Sequence, residues 1–308
     1  MISKTASDPD VYRKEIIFTN SAREGWELVL KTLSPASKVL LPSYIGITER
    51  EGSGIYDPVS KLNLLHDFYL LNYDLSITLE EIERCLSKNK YDLILLVHYF
   101  GFKIKNIEEI VSLCKKYNVI VVEDCAHLYN YNLLDISDVG SFGDFVFYSL
   151  HKNFPLKNGG LLVQNNMKLK SPTNNEIQLE HNFIFQLHQY DAKLIALKRL
   201  ENYRILDDEI KNIEGVSRLK SLAQNDVPHT YPIIVGNDLR EKLYFWLAEK
   251  HMTVIALYYR LIDPLNNEYY NEMQNISNSI LNLPIHQDIS KNDINILIEG
   301  IKQFYGQS

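Results

Sequence analysis

The sequence has few of the features that mark secreted, membrane or nucleic-acid-binding proteins. It contains three cysteines, Cys85, Cys114 and Cys125, and an odd number without metal-ligand spacing fits a reducing compartment better than a disulfide scaffold. It has no run of about 18 apolar residues, which excludes a membrane-spanning helix. It also lacks a block of lysine and arginine, which argues against a nucleic-acid or anionic-membrane partner. The polar N-terminus does not have the apolar core of a secretory signal, so we expect a cytoplasmic protein.

What is present is typical of a large globular protein. The 308 residues are 45% hydrophobic and 23% charged, with a net charge of −7. This length favours one large domain with a smaller partner, which we place at residues 1–175 and 176–308. Apolar strand-like runs alternate with helical patterns through the first half. This alternation predicts an α/β fold in which helices flank a mostly parallel central sheet, followed by a smaller α+β domain.

Several helix and strand signals are strong enough to give boundaries. Residues Thr19–Ser21 are N-cap types ahead of an amphipathic helix, and Ser76 or Thr78 could cap another. The run Tyr91–Phe102 is nearly continuously apolar, as in a strand buried on both faces. Further predicted strands cover residues 38–44, 62–70, 119–127, 145–149, 159–163, 230–235 and 253–259. Predicted helices in the second half cover about 177–210, 239–250 and 294–304.

An acid and a lysine near the ends of two apolar runs are candidates for chemistry. Asp124 ends a buried run, where a carboxylate needs a cationic or hydrogen-bonding partner, and the pyridinium nitrogen of pyridoxal 5'-phosphate (PLP) would serve. A helix cap or a strand-end salt bridge is the alternative. Lys152 lies in a turn three residues after Ser149, and a desolvated lysine can form a Schiff base with an aldehyde. An exposed loop lysine is the alternative there, and Lys157 is a rival.

Five other residues could contact a phosphate or a ring. Ser21, Ala22 and Arg23 open the first helix, where free backbone N–H groups and an arginine could bind phosphate. Ser149 could donate to the same group or be a satisfied turn hydroxyl. His127 follows Asp124 closely and could reach a ring substituent, although a lone histidine is more often structural.

The order of these elements resembles the DegT/DnrJ/StrS family of PLP-dependent sugar aminotransferases, within the aspartate-aminotransferase-like fold (fold type I). The likeness covers most of the chain. The segments that carry it are TNSAREG, KVLLPSY, LLVHYFG, VVEDCAH, GSFGDFVFYS, HKNFPLKNGG, the ENYRIL helix and LPIHQDIS. The ED-x-A-H, G-D-x-x-x-x-S and K-x₆-GG elements in this order are specific to the family.

The resemblance implies a role for each candidate. Asp124 would pair with the pyridine nitrogen, and His127 would contact the side of the ring that carries the hydroxyl. Ser149 and the helix start Ser21–Arg23 would hold the phosphate. Lys152 would form the Schiff base and then move the proton between cofactor and substrate. No metal is implied.

The resemblance also implies the reaction and the assembly. Family members move an amino group, usually from glutamate, to a keto group on a nucleotide-linked sugar, and this chemistry serves cell-surface polysaccharide synthesis. They act as homodimers with active sites shared across the interface. Two alternatives stay open. One is a PLP-dependent sugar dehydratase, because relatives of that kind replace the lysine with histidine and His151 adjoins Lys152. The other is a member that binds a ligand or partner without turnover.

This sequence departs from the common family pattern at several positions. Ser149 and Lys152 are separated by three residues rather than five, whereas the interval of seven from Lys152 to Gly159 is preserved. Ala22-Arg23 replaces the usual Gly-Thr, and an Arg-Asn-His-Gly element that many neighbouring subunits supply has no clear match. Gly46 carries no side chain where relatives often have a bulky residue.

Overall fold

The largest feature of the computed structural model, which describes residues 15–128, 140–172 and 189–306, is a seven-stranded sheet. The strands lie in the order β1-β7-β6-β5-β4-β2-β3. Strand β7 is antiparallel to both neighbours, and every other pair is parallel. The predicted mostly parallel sheet is confirmed. Its strands are β1 (Glu15–Thr19), β2 (Lys38–Pro42), β3 (Leu65–Tyr69), β4 (Leu93–Val97), β5 (Ile120–Cys125), β6 (Phe145–Ser149) and β7 (Gly160–Gln164).

The central strands are buried along their whole length because both faces of the sheet are covered. Every residue of β4, β6 and β7 is buried, as expected for a near-continuous apolar run inside a parallel sheet. Within the predicted run Tyr91–Phe102 the strand ends at Val97. Phe100 and Gly101 adopt φ values of 55° and 86°, and this left-handed backbone turns the chain away from the sheet.

The helices of this half begin where the capping residues predict. Ser21 and Thr78 are N-caps, and each side chain accepts a hydrogen bond from the backbone N–H three residues on. In α4 the buried residues recur at intervals of three and four, which turns one apolar face to the sheet. The helices are α1 (Ala22–Leu30), α2 (Tyr56–Lys61), α3 (Leu79–Lys88) and α4 (Ile107–Lys116).

The C-terminal part adds a small antiparallel sheet and four helices. Its strands lie in the order β10-β9-β8, with β9 in the centre and fully buried. These strands are β8 (Val216–Arg218), β9 (Tyr231–Val235) and β10 (Ile280–Leu283). The helices described here are α5 (Ala192–Ile210), α6 (Arg240–Glu249), α7 (Asn271–Ser279) and α8 (Lys291–Phe304). None of the helices among the described residues combines the length and apolarity needed to cross a membrane.

Two predictions for this part need comment. The predicted strand 253–259 is wrong: Ile255 makes a single bridge to Asn282, and Tyr258 has a φ of 59°, which an extended strand does not allow. The predicted helix from about 177 is present from Ala192 onward. Its first residues, and the domain boundary at 175/176, lie outside the described residues.

Hydrogen bonds join the C-terminal part to the end of β4. His229 N donates to Phe100 O at 2.7 Å, and Lys103 N donates to Asp226 Oδ1 at 3.1 Å. Phe100 comes shortly after the last residue of β4, Val97, so the C-terminal part is attached at the carboxyl edge of the large sheet. Open α/β sheets bind ligands at this edge.

Candidate active site

The seven residues predicted to hold or react with a cofactor line one cavity of about 510 Å³. The cavity lies where the carboxyl ends of β5 and β6 meet the start of α1. The predicted residues on its wall are Ser21, Ala22, Arg23, Asp124, His127, Ser149 and Lys152. Residues that are distant in the chain therefore converge on a single space.

The first turn of α1 offers backbone donors to this cavity. Ser21 Oγ accepts a hydrogen bond from Glu24 N at 3.2 Å and so fixes the helix start. The first N–H groups of a helix have no partner within it, and Ala22 and Arg23 both line the cavity. Arg23 Nη2 donates to Glu51 O at 2.6 Å, which holds the guanidinium beside the cavity. This combination of free N–H groups and positive charge suits an anion.

The glycine pair after Lys152 has a structural reason. Gly159 has a φ of 144° and its N–H donates to Asn20 O at 2.9 Å. A Cβ added to Gly160 would overlap Ser21 C and Thr19 Oγ1. Strand β7 therefore passes directly against the turn that opens α1, and only glycine leaves room for that approach.

Asp124 lies at the end of β5 and is only 6% exposed. Its Oδ1 accepts a hydrogen bond from Ala126 N at 2.8 Å. Among the described residues, no group donates a hydrogen bond to its second oxygen. Burial raises the pKa of the Asp124 carboxyl above its usual value, although the Ala126 N–H and the nearby Lys152 lower it. A cationic partner in the cavity would reverse this effect and stabilise the carboxylate.

Lys152 ends a short 3-10 turn between β6 and β7 and is partly buried on the cavity wall. Its Nζ forms no ion pair with any residue that the structure describes. Burial lowers the pKa of Lys152, and the charge of Arg23 lowers it further, whereas Asp124 and Glu51 raise it. A lysine that loses its proton more easily is a better nucleophile. Its rival Lys157 is exposed and does not line the cavity.

His151, which lies between Ser149 and Lys152 in the chain, contacts both ends of the turn between β6 and β7. Ser149 is buried at the end of β6, and its Oγ lies 3.4 Å from His151 Nε2. His151 Nδ1 lies 3.2 Å from Gly159 O. His151 therefore braces the turn from which Lys152 enters the cavity.

Arg199 of α5 ties the lysine turn to the C-terminal part. It is 1% exposed, and its Nη2 donates to Lys152 O at 3.3 Å. Its Nη1 donates to His229 O at 3.4 Å. Sequence reasoning did not select Arg199, because nothing in its helical segment indicates that it would reach residue 152.

His127 is held in a stack of rings. Its imidazole is nearly parallel to Phe100, at a centroid distance of 6.1 Å, and to His229, at 5.1 Å. Burial lowers the pKa of His127 well below its usual value, and the charges of Lys152 and His229 lower it further. His127 is therefore neutral at physiological pH and offers the cavity an uncharged ring.

Glu123, the residue before Asp124, belongs to a closed network on the other face of the sheet. One carboxylate oxygen accepts from Gly143 N at 2.6 Å, and the other lies 3.0 Å from His98 Nε2. Ile104 N donates to His98 Nδ1 at 3.2 Å, so Nε2 carries the proton and donates to Glu123. Cys125 lies near this pair, but His98 then has no free lone pair for a metal ion.

Comparison with known proteins gives a consistent result. The family model for the DegT/DnrJ/EryC1/StrS aminotransferase family matches residues 71–177. The resemblance to this family is confirmed. The matched region contains Asp124, His127, Ser149 and Lys152, whereas the helix start at Ser21 lies before it.

Individual relatives extend the likeness beyond the matched region. GDP-perosamine synthase of Escherichia coli O157:H7 is 25% identical over an alignment that covers 92% of this chain and 80% of that protein. UDP-4-amino-4,6-dideoxy-N-acetyl-beta-L-altrosamine transaminase of Campylobacter jejuni is 26% identical over 69% of this chain and 54% of that protein. The structure of NtdA from Bacillus subtilis with bound PMP has a TM-score of 0.74 and 17% identity, covering 95% of this chain and 73% of that one.

Proposed function

We propose that this chain is a PLP-dependent aminotransferase that moves an amino group to a keto group of a nucleotide-linked sugar. The observation that carries the proposal is the single cavity in which Asp124, Lys152 and the start of α1 meet. These three features supply an acid, an amine and an anion site. Their combination suits a cofactor with a basic ring nitrogen, an aldehyde and a phosphate.

The cavity residues fit PLP by their chemistry. The backbone N–H groups of Ala22 and Arg23, with the Ser149 hydroxyl, would hold the phosphate. The free oxygen of Asp124 would accept a hydrogen bond from the protonated ring nitrogen. His127, a neutral ring held by its neighbours, would lie beside the cofactor. The site thus offers partners for the phosphate and the ring nitrogen of PLP.

Lys152 is the proposed catalytic residue. When bound, PLP supplies an aldehyde that captures an amine and a ring that takes up the electron pair released at the substrate carbon. The lowered pKa of Lys152 increases the fraction of neutral amine that can attach to the aldehyde. Once released, the same amine could take a proton from one carbon and return it to another. Asp124 would keep the ring protonated during this transfer.

The substrate class comes from the relatives. Both sequence relatives are named for amino sugars linked to a nucleotide, GDP in one case and UDP in the other. We infer a nucleotide-linked keto-sugar as the acceptor, glutamate as the amine donor and cell-surface polysaccharide synthesis as the context. Because the names of the two relatives contain different nucleotides, the proposal does not specify which nucleotide the substrate contains.

We further propose a homodimeric, cytoplasmic enzyme, with residues 1–175 as the PLP-binding domain and 176–308 as the smaller domain. All three cysteines are free and buried, which supports a reducing compartment. Light scattering on the purified protein would test the dimer, whose mass should be twice the 35.8 kDa of one chain.

The decisive experiment is an absorbance titration of the purified protein with PLP. Wild-type protein should develop the visible band of a Schiff base, and Lys152→Ala should not. Lys157→Ala is the matched control, because this lysine is exposed nearby, and it should behave as wild type. If PLP produces no band and Lys152→Ala changes nothing, the proposal is wrong.

Product analysis separates aminotransfer from the two alternatives. PLP-loaded protein is mixed with glutamate and keto-sugars linked to GDP, UDP or dTDP, and the products are analysed by mass spectrometry. Aminotransfer consumes glutamate and yields an amino sugar. Loss of water without glutamate consumption would instead favour a dehydratase. Calorimetric binding of a sugar nucleotide without turnover with any amine donor would favour a non-catalytic binding protein.

A further inference from the structure

The C-terminal part contributes an aromatic side chain to the candidate cofactor cavity. Leu257 and Tyr258 line the same space as Asp124 and Lys152. This segment was predicted to be a strand, but its chain turns at Tyr258, which has a φ of 59°. A non-glycine residue with this backbone conformation is uncommon and costs free energy, so the surrounding structure must hold it in place.

Two sets of contacts hold Tyr258. Ser277 Oγ donates to Tyr258 O at 2.6 Å, which fixes the strained backbone from α7. The segment after Tyr258 pairs with the loop that follows β2. Gly46 forms a β-bridge with Leu261, and Ile262 N donates to Ile45 O at 3.0 Å. The turn at Tyr258 is therefore anchored to both parts of the molecule.

Gly46 leaves the space that the Tyr258 ring occupies. A Cβ added at Gly46 would overlap Tyr258 Cδ1 and lie 2.9 Å from Tyr258 Cα. The backbone of Gly46 itself does not have the positive φ that favours glycine. Steric exclusion by Tyr258 is therefore the reason that this position has no side chain.

The Tyr258 ring lies between an aromatic cluster and the cavity. Its centroid is 5.5 Å from that of Tyr44, 5.9 Å from that of Phe100 and 6.0 Å from that of His127. The tyrosine is only partly buried and lines the cavity, so this packing leaves part of its surface to the open space. Burial raises the pKa of the Tyr258 hydroxyl, and the charge of Asp124 raises it further.

We propose that Tyr258 is a cofactor-binding residue: its ring forms an aromatic wall against the pyridine ring, in the volume that Gly46 leaves free. This inference rests on the proposed function. It makes retention of the cofactor depend on the turn held by α7. Aromatic rings bury large apolar areas and prefer offset or edge contacts with other rings, so removing this wall should weaken PLP binding.

The test is PLP affinity, measured by dialysis and absorbance, for four variants. Tyr258→Phe keeps the ring and should bind as wild type. Tyr258→Gly removes the ring but suits the positive φ, and it should bind PLP about tenfold more weakly. Gly46→Ala should be at least as weak and less thermostable, because its methyl group displaces the ring. Tyr259→Ala is the matched control, since this exposed neighbour does not line the cavity.

A double variant tests whether the two positions act as a pair. Gly46→Ala/Tyr258→Gly should recover part of the thermostability lost in Gly46→Ala, because the overlap with the ring is gone while the added methyl group still lies 2.9 Å from the Cα of residue 258. It should bind PLP like Tyr258→Gly alone. Wild-type affinity in Tyr258→Gly, or no recovery in the double variant, overturns the inference. Failure of the proposed function gives a different result, because wild-type protein would then show no Lys152-dependent band at all.

Discussion

The two neighbouring acids at the end of β5 have opposite surroundings. Side chains alternate between the two faces of a strand, so Glu123 and Asp124 point to different faces of the sheet. Glu123 is fully buried and its oxygens are occupied by backbone N–H groups and by His98. Asp124 receives one hydrogen bond from Ala126 N and otherwise faces the cavity. The Glu123 carboxylate has hydrogen-bond partners for both oxygens and therefore has a structural role. The Asp124 carboxylate has a partner for one oxygen and can therefore bind a ligand with the other.

The largest effect should come from Lys152, whose side chain lines the same cavity as Asp124. Lys152→Ala should reduce amino transfer on the order of 10⁴-fold, because in the proposed function this residue both attaches the cofactor and moves the proton. Its thermal unfolding should change little, since Nζ has no partner among the described residues. Steady-state kinetics and calorimetry on the same sample measure both. A stability loss that parallels the activity loss would assign Lys152 to the structure instead.

Asp124→Asn should separate activity from stability. An amide cannot stabilise a protonated ring, so turnover should fall about 10³-fold. Burial raises the pKa of Asp124 in the folded protein above its value in the unfolded chain. The carboxyl group therefore contributes favourably to stability below the unfolded pKa, and this contribution is lost as pH rises through the folded pKa. At pH 7 the charged form therefore destabilises the cofactor-free protein.

This sign gives an unusual expectation for the same variant. Cofactor-free Asp124→Asn should be more stable than wild type by about 1 kcal/mol at pH 7, and the gain should shrink at low pH. Asn keeps an oxygen for the Ala126 N–H, so no hydrogen bond is lost. Urea unfolding at several pH values provides the measurement. A variant less stable than wild type at pH 7 would contradict the conclusion that the buried Asp124 carboxylate lacks a full set of partners.

Glu123→Ala should show the reverse pattern, with a loss of stability and little change in PLP binding. The substitution leaves His98 Nε2 and the N–H of Gly143 buried without acceptors, which should cost about 3 kcal/mol of unfolding free energy. Glu108→Ala, at an exposed position of α4, should change stability by less than about 0.5 kcal/mol. PLP affinity of the folded fraction should stay near wild type. Loss of PLP binding at unchanged stability would mean that Glu123 acts in the site.

The smallest effect concerns the pH at which Lys152 captures the aldehyde. Only the neutral amine attacks, so the capture rate should rise about tenfold per pH unit below the lysine pKa, which lies under the usual 10.5. Asp124→Asn should lower this midpoint further, because the carboxylate charge raises the pKa. Arg23→Gln should raise it, because the guanidinium charge lowers the pKa. Stopped-flow absorbance across pH measures all three; unchanged midpoints would contradict the assigned charges.

Local signals predicted much of the fold and the candidate site. The strand 145–149 and the starts of α1 and α3 follow from apolar runs and capping residues, which act over a few neighbours. The order of Asp124, Ser149 and Lys152 after successive strands was enough to predict that they meet, because carboxyl ends of parallel strands share one edge. The choice of Lys152 over Lys157 agrees with their different exposure.

Contacts from the C-terminal part could not be predicted in this way. Tyr258 was assigned to a strand because its neighbours are apolar and β-branched, and the turn at this residue depends on Ser277 and Gly46, which lie far from it in the chain. Arg199 was missed for the same reason. Periodicity describes a segment alone and contains no information about the element that packs against it.

The sequence by itself determined the mostly parallel sheet and the polar residues that collect at its edge. Apolar runs must be buried, and the polar residues that end them must then collect at one side. Only the tertiary structure decided that Glu123 has a full set of hydrogen-bond partners while Asp124 faces the cavity. It also decided that Gly46 makes room for Tyr258. These outcomes depend on donors and volumes contributed by distant segments, and such groups become neighbours only when the chain is packed.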